Sequence, residues 1–330
     1  MFGWLSRPFR SCFALSANGR ASSTTPKKTA IFILSSAHSG STWIGYVLGS
    51  GPESVFLGEY DRAWKESIRV PCTICAARGL QSCEVLYDVE KEPAERAFDL
   101  AFARTGKRVI VDSSKDLEWI RTFPTSDGLD IRIVLLFKDP RGFFASVKRR
   151  ADADLEKIMA HWSYENWVFC DFIAASGIPS VTVSYDLTAD SPEPEFRRLF
   201  DFCGMRFTKD SLSYWNVEHH GFAANGARDA VLKTKAFPQL PGHFETGDVA
   251  FYGENSMTLF HDQRWRTALT SAEISAIENN AEVEKLLKSL GFALTEKGVT
   301  REATWSAGEI SADRRRCSNE VKSFGSLHVS

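Results

Sequence analysis

Short apolar runs rich in β-branched residues recur along the chain and are bounded by polar or small residues. Continuous runs of this kind are typical of strands that are buried on both faces, as in a parallel sheet. They predict four strands of one sheet. The runs are 30–34, 108–111, 131–137 and 180–183.

Between and after these runs, the pattern changes to the spacing of amphipathic helices. Segment 155–173 shows it best, and segments 195–203 and 271–290 each end at a glycine, as helices often do. Strands that alternate with helices predict an α/β fold with a central parallel sheet and crossover connections. We expect one domain, residues 28–299.

The two ends of the chain lack this pattern. The first thirty residues hold five arginines and lysines and many serines, but no Asp or Glu. This is the composition of an organelle transit peptide, although a disordered extension of a bacterial protein would also show it. Residues 1–27 are therefore interpreted as a transit peptide of a mitochondrial or plastid protein, or as a disordered extension of a cytoplasmic one. The polar, aperiodic residues 300–330 are predicted to form a flexible tail.

Composition and net charge argue against some classes of function. A hydrophobic share of 43% with 25% charged residues is ordinary for a globular protein of 330 residues. The net charge of −2 argues against a nucleic acid or an anionic membrane as partner, so an anion site has to be built locally. No stretch of the sequence approaches the roughly 20 apolar residues that cross a bilayer.

The first candidate site is the turn 35–43, which joins the first strand to a helical pattern. A loop of small residues at a helix N-terminus presents free backbone N–H groups, and the helix dipole also favours an anion there. Ser41 and Thr42 add hydroxyl donors. The nucleotide loop G-x-x-x-x-G-K-[ST] is absent because its second glycine and its lysine are missing. This weakens the hypothesis of a P-loop-type kinase.

A second candidate anion site follows the strand 131–137. Lys138 stands at the strand end, Pro140 suits a first helical turn, and Ser146 lies about two turns into the helix. The cation and the hydroxyl can therefore converge on one phosphate.

Together, these two segments resemble the sulfotransferases that use 3'-phosphoadenosine 5'-phosphosulfate (PAPS), in the bacterial-type and tyrosylprotein branch. The turn SSAHSGSTWIGYVLGSGP is similar to their 5'-phosphosulfate loop, and KDPRGFFAS is similar to their 3'-phosphate segment R-D-P-R-x-x-x-x-S, with Lys138 in place of arginine. Further similarity extends over about residues 30–294. The resemblance implies an α/β, P-loop-kinase-like three-layer fold with a central parallel sheet.

The resemblance also implies which residues bind the nucleotide. Lys138 and Ser146 would hold the 3'-phosphate, and Asn225 and Arg228 match a G-N-x-x-R segment of the family. The product would be 3'-phosphoadenosine 5'-phosphate (PAP), and no metal is required. The 5'-phosphosulfate loop would comprise Ser39, Gly40, Ser41, Thr42 and Trp43.

Three residues are candidates for catalysis. Glu59 in the G-E pair matches the proposed general base of the family, and Lys115 lies where the family places a catalytic lysine at a strand end. His38 stands where relatives have Lys or Arg, and imidazole can donate to the bridging oxygen. The adjacent His219 and His220 are the alternative base.

Cysteine spacing leaves three interpretations open. Cys72, Cys75 and Cys83 form a C-x-x-C followed by a third thiol in a polar stretch. They are interpreted as structural thiols, as ligands of a zinc ion whose fourth ligand is not evident, or as a redox pair. The odd total of seven cysteines favours reduced thiols over a disulfide framework.

The sequence thus predicts a sulfotransferase that moves the sulfuryl group of PAPS to a hydroxyl or amine of a small-molecule acceptor. Neither nucleic acid nor a membrane is an expected partner. Two alternatives remain: a P-loop-type small-molecule kinase and a catalytically weak PAP-binding module. The acceptor and the oligomeric state cannot be read from the sequence, because acceptor loops are the most variable parts of such folds.

Overall fold

A computed structural model describes most of the chain between residues 27 and 302. Within this part, five strands form one parallel sheet in the order β2-β3-β1-β4-β5. The sheet strands are β1 (Lys28–Leu34), β2 (Ser54–Phe56), β3 (Val109–Asp112), β4 (Leu129–Phe137) and β5 (Ser180–Ser184). The described residues are 27–65, 72, 74–75, 78–123, 128–149, 154–222, 255 and 257–302.

Both faces of the sheet are covered, which explains why its strands are continuous apolar runs. In β1, Ala30 and Phe32 belong to the core on one face, whereas Ile31 and Ile33 belong to the core on the other. Successive side chains of a strand point to opposite faces, so each face needs its own helical layer. The prediction of a three-layer α/β fold with a central parallel sheet is confirmed.

Helices connect the strands and form both outer layers. None of those in the described part of the chain is long and apolar enough to cross a membrane. The helices before β4 are α1 (Ser41–Gly49), α2 (Arg62–Lys65), α3 (Ala97–Thr105) and α4 (Leu117–Arg121). Those after β4 are α5 (Pro140–Lys148), α6 (Leu155–Ser176), α7 (Tyr185–Asp190), α8 (Pro192–Phe202), α9 (Trp265–Ala268), α10 (Ser271–Glu278) and α11 (Ala281–Leu290).

The structure corrects the expected helix over 271–290. It is two helices, because the side chain of Asn280 accepts hydrogen bonds from the backbone N–H groups of Glu282 and Val283 and so starts α11. After α11, an antiparallel hairpin of β6 (Phe292–Thr295) and β7 (Gly298–Arg301) extends the fold slightly beyond residue 299.

Parallel strands bring the candidate residues to one edge of the sheet. The turn 35–40 follows β1, Glu59 follows β2, Lys115 follows β3, and Lys138 follows β4. The carboxyl ends of all these strands meet at the same edge, and β1 lies between β3 and β4. This edge of an open α/β sheet is where ligands bind.

Candidate active site

The turn after β1 forms a cradle at the N-terminus of α1. Ser39 is fully buried, and its Oγ has no hydrogen-bond partner among the described residues. Gly40 has a φ of 91°, and a Cβ added there would lie 2.5 Å from the ring of Tyr185. Only glycine fits this position, so the backbone of the turn lies close against Tyr185. An unsatisfied buried hydroxyl beside a helix N-terminus suits an oxyanion.

The other predicted residues of this turn differ in exposure. Ser41 is buried and Thr42 is half-buried. Trp43 is buried in the core and contacts the rings of Tyr185 and Phe196 edge to face, at 5.6 and 5.3 Å. Trp43 therefore supports the cradle through its indole ring, and only its backbone N–H remains for an anion.

His38 lies at the exposed tip of the same turn. Its φ of 65° is in the left-handed region, which histidine enters more readily than most residues. The side chain of His38 is exposed at the carboxyl edge of the sheet.

Glu59 and Lys115 form an ion pair across two neighbouring loops. Lys115 Nζ lies 2.6 Å from Glu59 Oε1, and Arg62 Nε lies 3.4 Å from Glu59 Oε2. The side chains of the pair are about one-fifth exposed, with 20% for Lys115 and 21% for Glu59. The pair thus combines a carboxylate and an ammonium group at a site that solvent and small molecules can reach.

Asp112 shapes the loop that carries Lys115. Its buried carboxylate accepts hydrogen bonds from the backbone N–H of Ser114, at 2.7 Å, and from Trp119 Nε1, at 2.8 Å. The Ser114 hydroxyl also donates to it. Burial raises the pKa of Asp112 to about 7, although these hydrogen bonds oppose the rise.

The backbone at Lys115 has a φ of 62°, in the left-handed region. This region costs an L-residue about 1–2 kcal/mol, and such strain persists where the surrounding structure imposes it, often at functional sites. The backbone N–H of Ser113 donates to the carbonyl of Gly58 at 2.7 Å, so the two loops are held together. The strained loop directs the ammonium group towards Glu59.

Gly58 sets the position of Glu59. It has a φ of 71° and pairs with Phe222, and a Cβ added there would lie 2.2 Å from the carbonyl oxygen of Phe222. That carbonyl accepts the backbone N–H of Glu59 at 2.8 Å. A glycine is therefore required before Glu59, which gives the G-E pair a structural reason.

A pocket of about 460 Å³ opens beside this ion pair. This volume falls in the range of small-molecule sites. Arg62 and Lys115, which both contact Glu59, line it, and Tyr164 and Phe169 of α6 supply aromatic surface.

The second predicted anion site lies at the start of α5. Lys138 is buried, its Nζ is 3.7 Å from Asp262 Oδ2, and the ring centroid of Tyr185 is 4.9 Å away. Burial lowers the pKa of Lys138, while Asp262 opposes this. Ser146 is buried on α5 and accepts a hydrogen bond from Arg149 at 3.4 Å.

Comparison with known proteins rests on solved structures, since no family model and no curated protein matches the chain. A sulfotransferase domain from the curacin biosynthetic pathway has a TM-score of 0.50 and 17% identity, over 81% of this chain and 98% of that domain. The sulfotransferase domain of the Synechococcus PCC 7002 olefin synthase has a TM-score of 0.44 and 15% identity, over 82% and 96%. A mouse sulfotransferase complexed with PAP has a TM-score of 0.40 and 11% identity, over 80% and 89%.

This chain has a sulfotransferase fold. The conclusion rests on the curacin-pathway domain, which is matched over nearly its whole length, and on the five-stranded parallel sheet described above.

The sulfotransferase fold also contains interactions that the sequence did not reveal. Tyr185 links the two predicted anion elements, because its ring lies against Gly40 and its centroid is 4.9 Å from Lys138 Nζ. His261 lies between Asp186 and Asp190, at 2.9 and 2.7 Å. Nothing in the sequence paired Asp186 with a histidine 75 residues away.

The arginine of the motif K-D-P-R, Arg141, has a structural role. The guanidinium of Arg141 is fully buried, forms two hydrogen bonds with Asp139, and donates to Glu278 at 2.6 Å. These hydrogen bonds link α5 to its N-cap residue Asp139 and to α10. Arg141 therefore stabilises the start of α5, and the charge that remains for a ligand in this motif is that of Lys138.

The remaining predicted residues divide into three groups. Asn225 and Arg228 lie outside the described residues. His219 is buried against the ring of Tyr46, with the ring centroids 4.8 Å apart, which makes it a poor alternative base. His220 instead contacts Cys72, Cys75 and Cys83.

Proposed function

We propose that this chain is a sulfotransferase that moves the sulfuryl group of PAPS to a hydroxyl or amine of a small-molecule acceptor. The observation that carries the proposal is the Glu59–Lys115 ion pair at the ligand-binding edge of a sulfotransferase fold, beside a helix N-terminus suited to an oxyanion. The resemblance of both anion segments to the PAPS-binding segments of the family supports the choice of donor.

The residues of the turn after β1 suit the 5'-phosphosulfate. Ser39 offers a buried hydroxyl that has no partner in the described part of the chain, and the first N–H groups of α1 are free of intrahelical bonds. Ser41 and Thr42 add hydroxyls at the same helix end. Together they would bind the phosphosulfate oxygens and fix the sulfur for attack.

The 3'-phosphate would bind Lys138 and Ser146, at the start and in the second turn of α5. Lys138 contacts Asp262 at 3.7 Å, whereas Arg264 holds the same carboxylate with two hydrogen bonds of 2.9 Å. Asp262 is thus already neutralised by Arg264, which leaves the charge of Lys138 for a phosphate. Asn225 and Arg228 are proposed as further nucleotide-binding residues on the family resemblance alone.

In the proposed reaction, the acceptor oxygen forms a bond to sulfur while the bond from sulfur to the phosphate oxygen breaks. PAP leaves with the electron pair of that bond. Glu59 takes the proton of the acceptor hydroxyl, Lys115 stabilises charge on the sulfuryl oxygens, and His38 donates to the bridging oxygen. In-line placement and charge stabilisation account for the rate, as in phosphoryl transfer.

The pocket beside Lys115 is the proposed acceptor site. Its lining joins the aromatic surface of Tyr164 and Phe169 to charged groups of both signs, namely Arg62, Lys115, Asp61, Asp116 and Glu165. An acceptor with an apolar or aromatic body and a hydroxyl near Glu59 would fit this combination.

The location of the protein in the cell is a separate proposal. Residues 1–26 lie outside the described residues, and their composition supports import into a mitochondrion or plastid. Fusion of residues 1–27 to a fluorescent protein tests this, and a diffuse cytoplasmic signal would contradict it.

An untargeted metabolite screen tests the function itself. The protein is incubated with a metabolite extract and either PAPS or ATP as the only donor, and products are identified by mass. We expect a product with one added sulfuryl group, formed together with PAP, only in the PAPS reaction. A phosphorylated product in the ATP reaction would instead indicate a kinase. Tight PAP binding without any product would favour the PAP-binding module.

A further inference from the structure

Three buried thiols and one imidazole converge next to the candidate active site. Cys72, Cys75 and Cys83 precede α3 in the chain, and His220 arrives from a segment 148 residues after Cys72. The three cysteines are buried free thiols, and the imidazole is about one-eighth exposed. Sequence spacing alone indicated three ligands, and the fold supplies a fourth.

The distances between these atoms match one tetrahedral metal ion. His220 Nδ1 lies 3.3 Å from Cys72 Sγ and 3.6 Å from both Cys75 Sγ and Cys83 Sγ. Zinc bonds of about 2.3 Å to sulfur and about 2.0–2.1 Å to nitrogen, at a tetrahedral angle, separate the two atoms by roughly 3.5 Å. All four ligand atoms lie within 4.8 Å of one another.

The second nitrogen of His220 has the partner that a metal-bound histidine needs. Nε2 lies 3.0 Å from Glu218 Oε1, and Arg78 holds the other oxygen of Glu218 at 2.7 Å. A carboxylate at Nε2 places the proton there and leaves the lone pair of Nδ1 directed towards the sulfur atoms. Carboxylate–histidine pairs of this kind orient metal ligands in zinc proteins.

Backbone N–H groups point at the sulfur atoms as well. Leu86 N lies 3.1 Å from Cys83 Sγ, Glu84 N lies 3.4 Å from Cys75 Sγ, and Cys75 N lies 3.5 Å from Cys72 Sγ. Such donors stabilise thiolates better than thiols, because hydrogen bonds to a charged acceptor are stronger.

We propose that Cys72, Cys75, Cys83 and His220 bind a structural zinc ion. Four protein ligands close the coordination sphere, which is the hallmark of structural rather than catalytic zinc. Binding converts three thiols to thiolates and releases their protons, and no oxidant is needed. A redox C-x-x-C does not account for the third sulfur, the oriented imidazole or the carboxylate behind it.

The zinc ion would stabilise the segment around Phe222, which positions Glu59. Two residues after His220, the backbone of Phe222 pairs with Leu57 and Glu59 through hydrogen bonds of 2.8 Å. A metal bound to His220 therefore holds this strand-like contact in place from one end. The effect on catalysis rests on the proposed function, whereas the metal site itself does not.

Metal content and cobalt substitution test the site directly. The native protein, purified without chelator, should carry about one zinc per chain. Removal of the zinc under reducing conditions and addition of Co²⁺ should give the intense visible bands of tetrahedral cobalt with thiolate ligands. Absence of zinc together with absence of these bands would overturn the proposal, as would iron with inorganic sulfide.

Matched variants separate coordination from packing. Cys83→Ser and His220→Ala should lose the zinc and weaken the cobalt bands, and both should lower the melting temperature. Cys203→Ser is the control, because Cys203 is equally buried but lies in the core on the other face of the sheet. It should retain a full zinc content. Equal zinc in all four proteins would show that the metal is bound elsewhere.

Thiol labelling of the native chain gives a result that does not depend on a folded variant. Cys72, Cys75 and Cys83 should resist alkylation until a chelator removes the metal, and should then react together, whereas Cys170 should react equally with and without chelator. Protection that only a reductant removes would indicate a disulfide and overturn the proposal. PAP binding, measured in parallel, reports on the proposed function independently.

Discussion

Two lysines at the same edge of the sheet differ in how the fold holds them. Lys115 and Lys138 each follow a parallel strand, and each faces a carboxylate. Lys115 is one-fifth exposed and pairs with Glu59 at 2.6 Å beside a pocket, whereas the side chain of Lys138 is 6% exposed and lies 3.7 Å from Asp262. Under the proposed function, this difference fits a role in the reaction for the accessible Lys115 and a role in nucleotide binding for the buried Lys138.

The residues that surround the two lysines differ as well. The backbone at Lys115 is strained, and Asp112 below it has a raised pKa. Around Lys138, by contrast, Arg141 and Arg264 pair with their carboxylates in two-pronged contacts. We therefore expect substitutions on the Lys115 side to affect turnover and those on the Lys138 side to affect nucleotide affinity.

Glu59→Gln should give the largest effect. The amide keeps the shape of the side chain but cannot take the acceptor proton, and loss of a general base typically costs about 10²–10⁴-fold in rate. Turnover is measured with the acceptor found by the metabolite screen, and PAP binding is measured by calorimetry. We expect PAP affinity to stay at the native value. Loss of PAP binding would show that Glu59 has a structural role.

Lys115→Met should lower turnover slightly less. The variant keeps the length of the side chain and removes its charge, and loss of one donor to a developing oxyanion costs about 10²–10³-fold. PAP affinity should again remain native. If KM for PAPS rose while kcat stayed unchanged, Lys115 would be a binding residue and the contrast with Lys138 would fail.

Lys138→Met should give the opposite pattern. Loss of a charge-assisted hydrogen bond to the 3'-phosphate should weaken PAP binding by about 1.5–3 kcal/mol, while AMP, which lacks that phosphate, should bind as before. Methionine retains the buried stem and so limits the effect on folding. A parallel loss of PAP and AMP affinity would indicate general damage to the nucleotide site.

Asp112→Asn should have the smallest effect, seen in the pH dependence of stability. Burial raises the pKa of Asp112 to about 7, above its value in the unfolded chain. The folded protein therefore binds this proton more tightly than the unfolded chain does. The contribution of the proton to the free energy of unfolding is lost as the pH rises through 7. Between pH 6 and 7 the loss should be about 1 kcal/mol. Urea unfolding should show this slope in the native protein and not in the variant; equal slopes would contradict the assignment.

Much of the fold could be predicted from the sequence because strands covered on both faces are continuous apolar runs. The strand β2 escaped prediction, since Ser54–Phe56 has too few residues to show a pattern. The break between α10 and α11 was readable in principle, because Asn280 is a good N-cap.

The sequence named individual candidate residues for the site, but it did not show which residues contact one another. The family resemblance pointed to Glu59 and Lys115, and parallel strands explain why they meet at one edge. Contacts between distant segments carry no local signal, so the sequence could not show that His220 joins the cysteines or that Asp262 faces Lys138.

Calorimetric titration of the native protein with PAP, AMP and ATP tests the central claim most directly. PAP carries both the 5'- and the 3'-phosphate, so it should engage the turn after β1 and Lys138 at once. The account predicts that PAP binds at least about tenfold more tightly than AMP, from a charge-assisted hydrogen bond of about 1.5–3 kcal/mol, and more tightly than ATP. Equal affinity for PAP and AMP, or a preference for ATP, would contradict it.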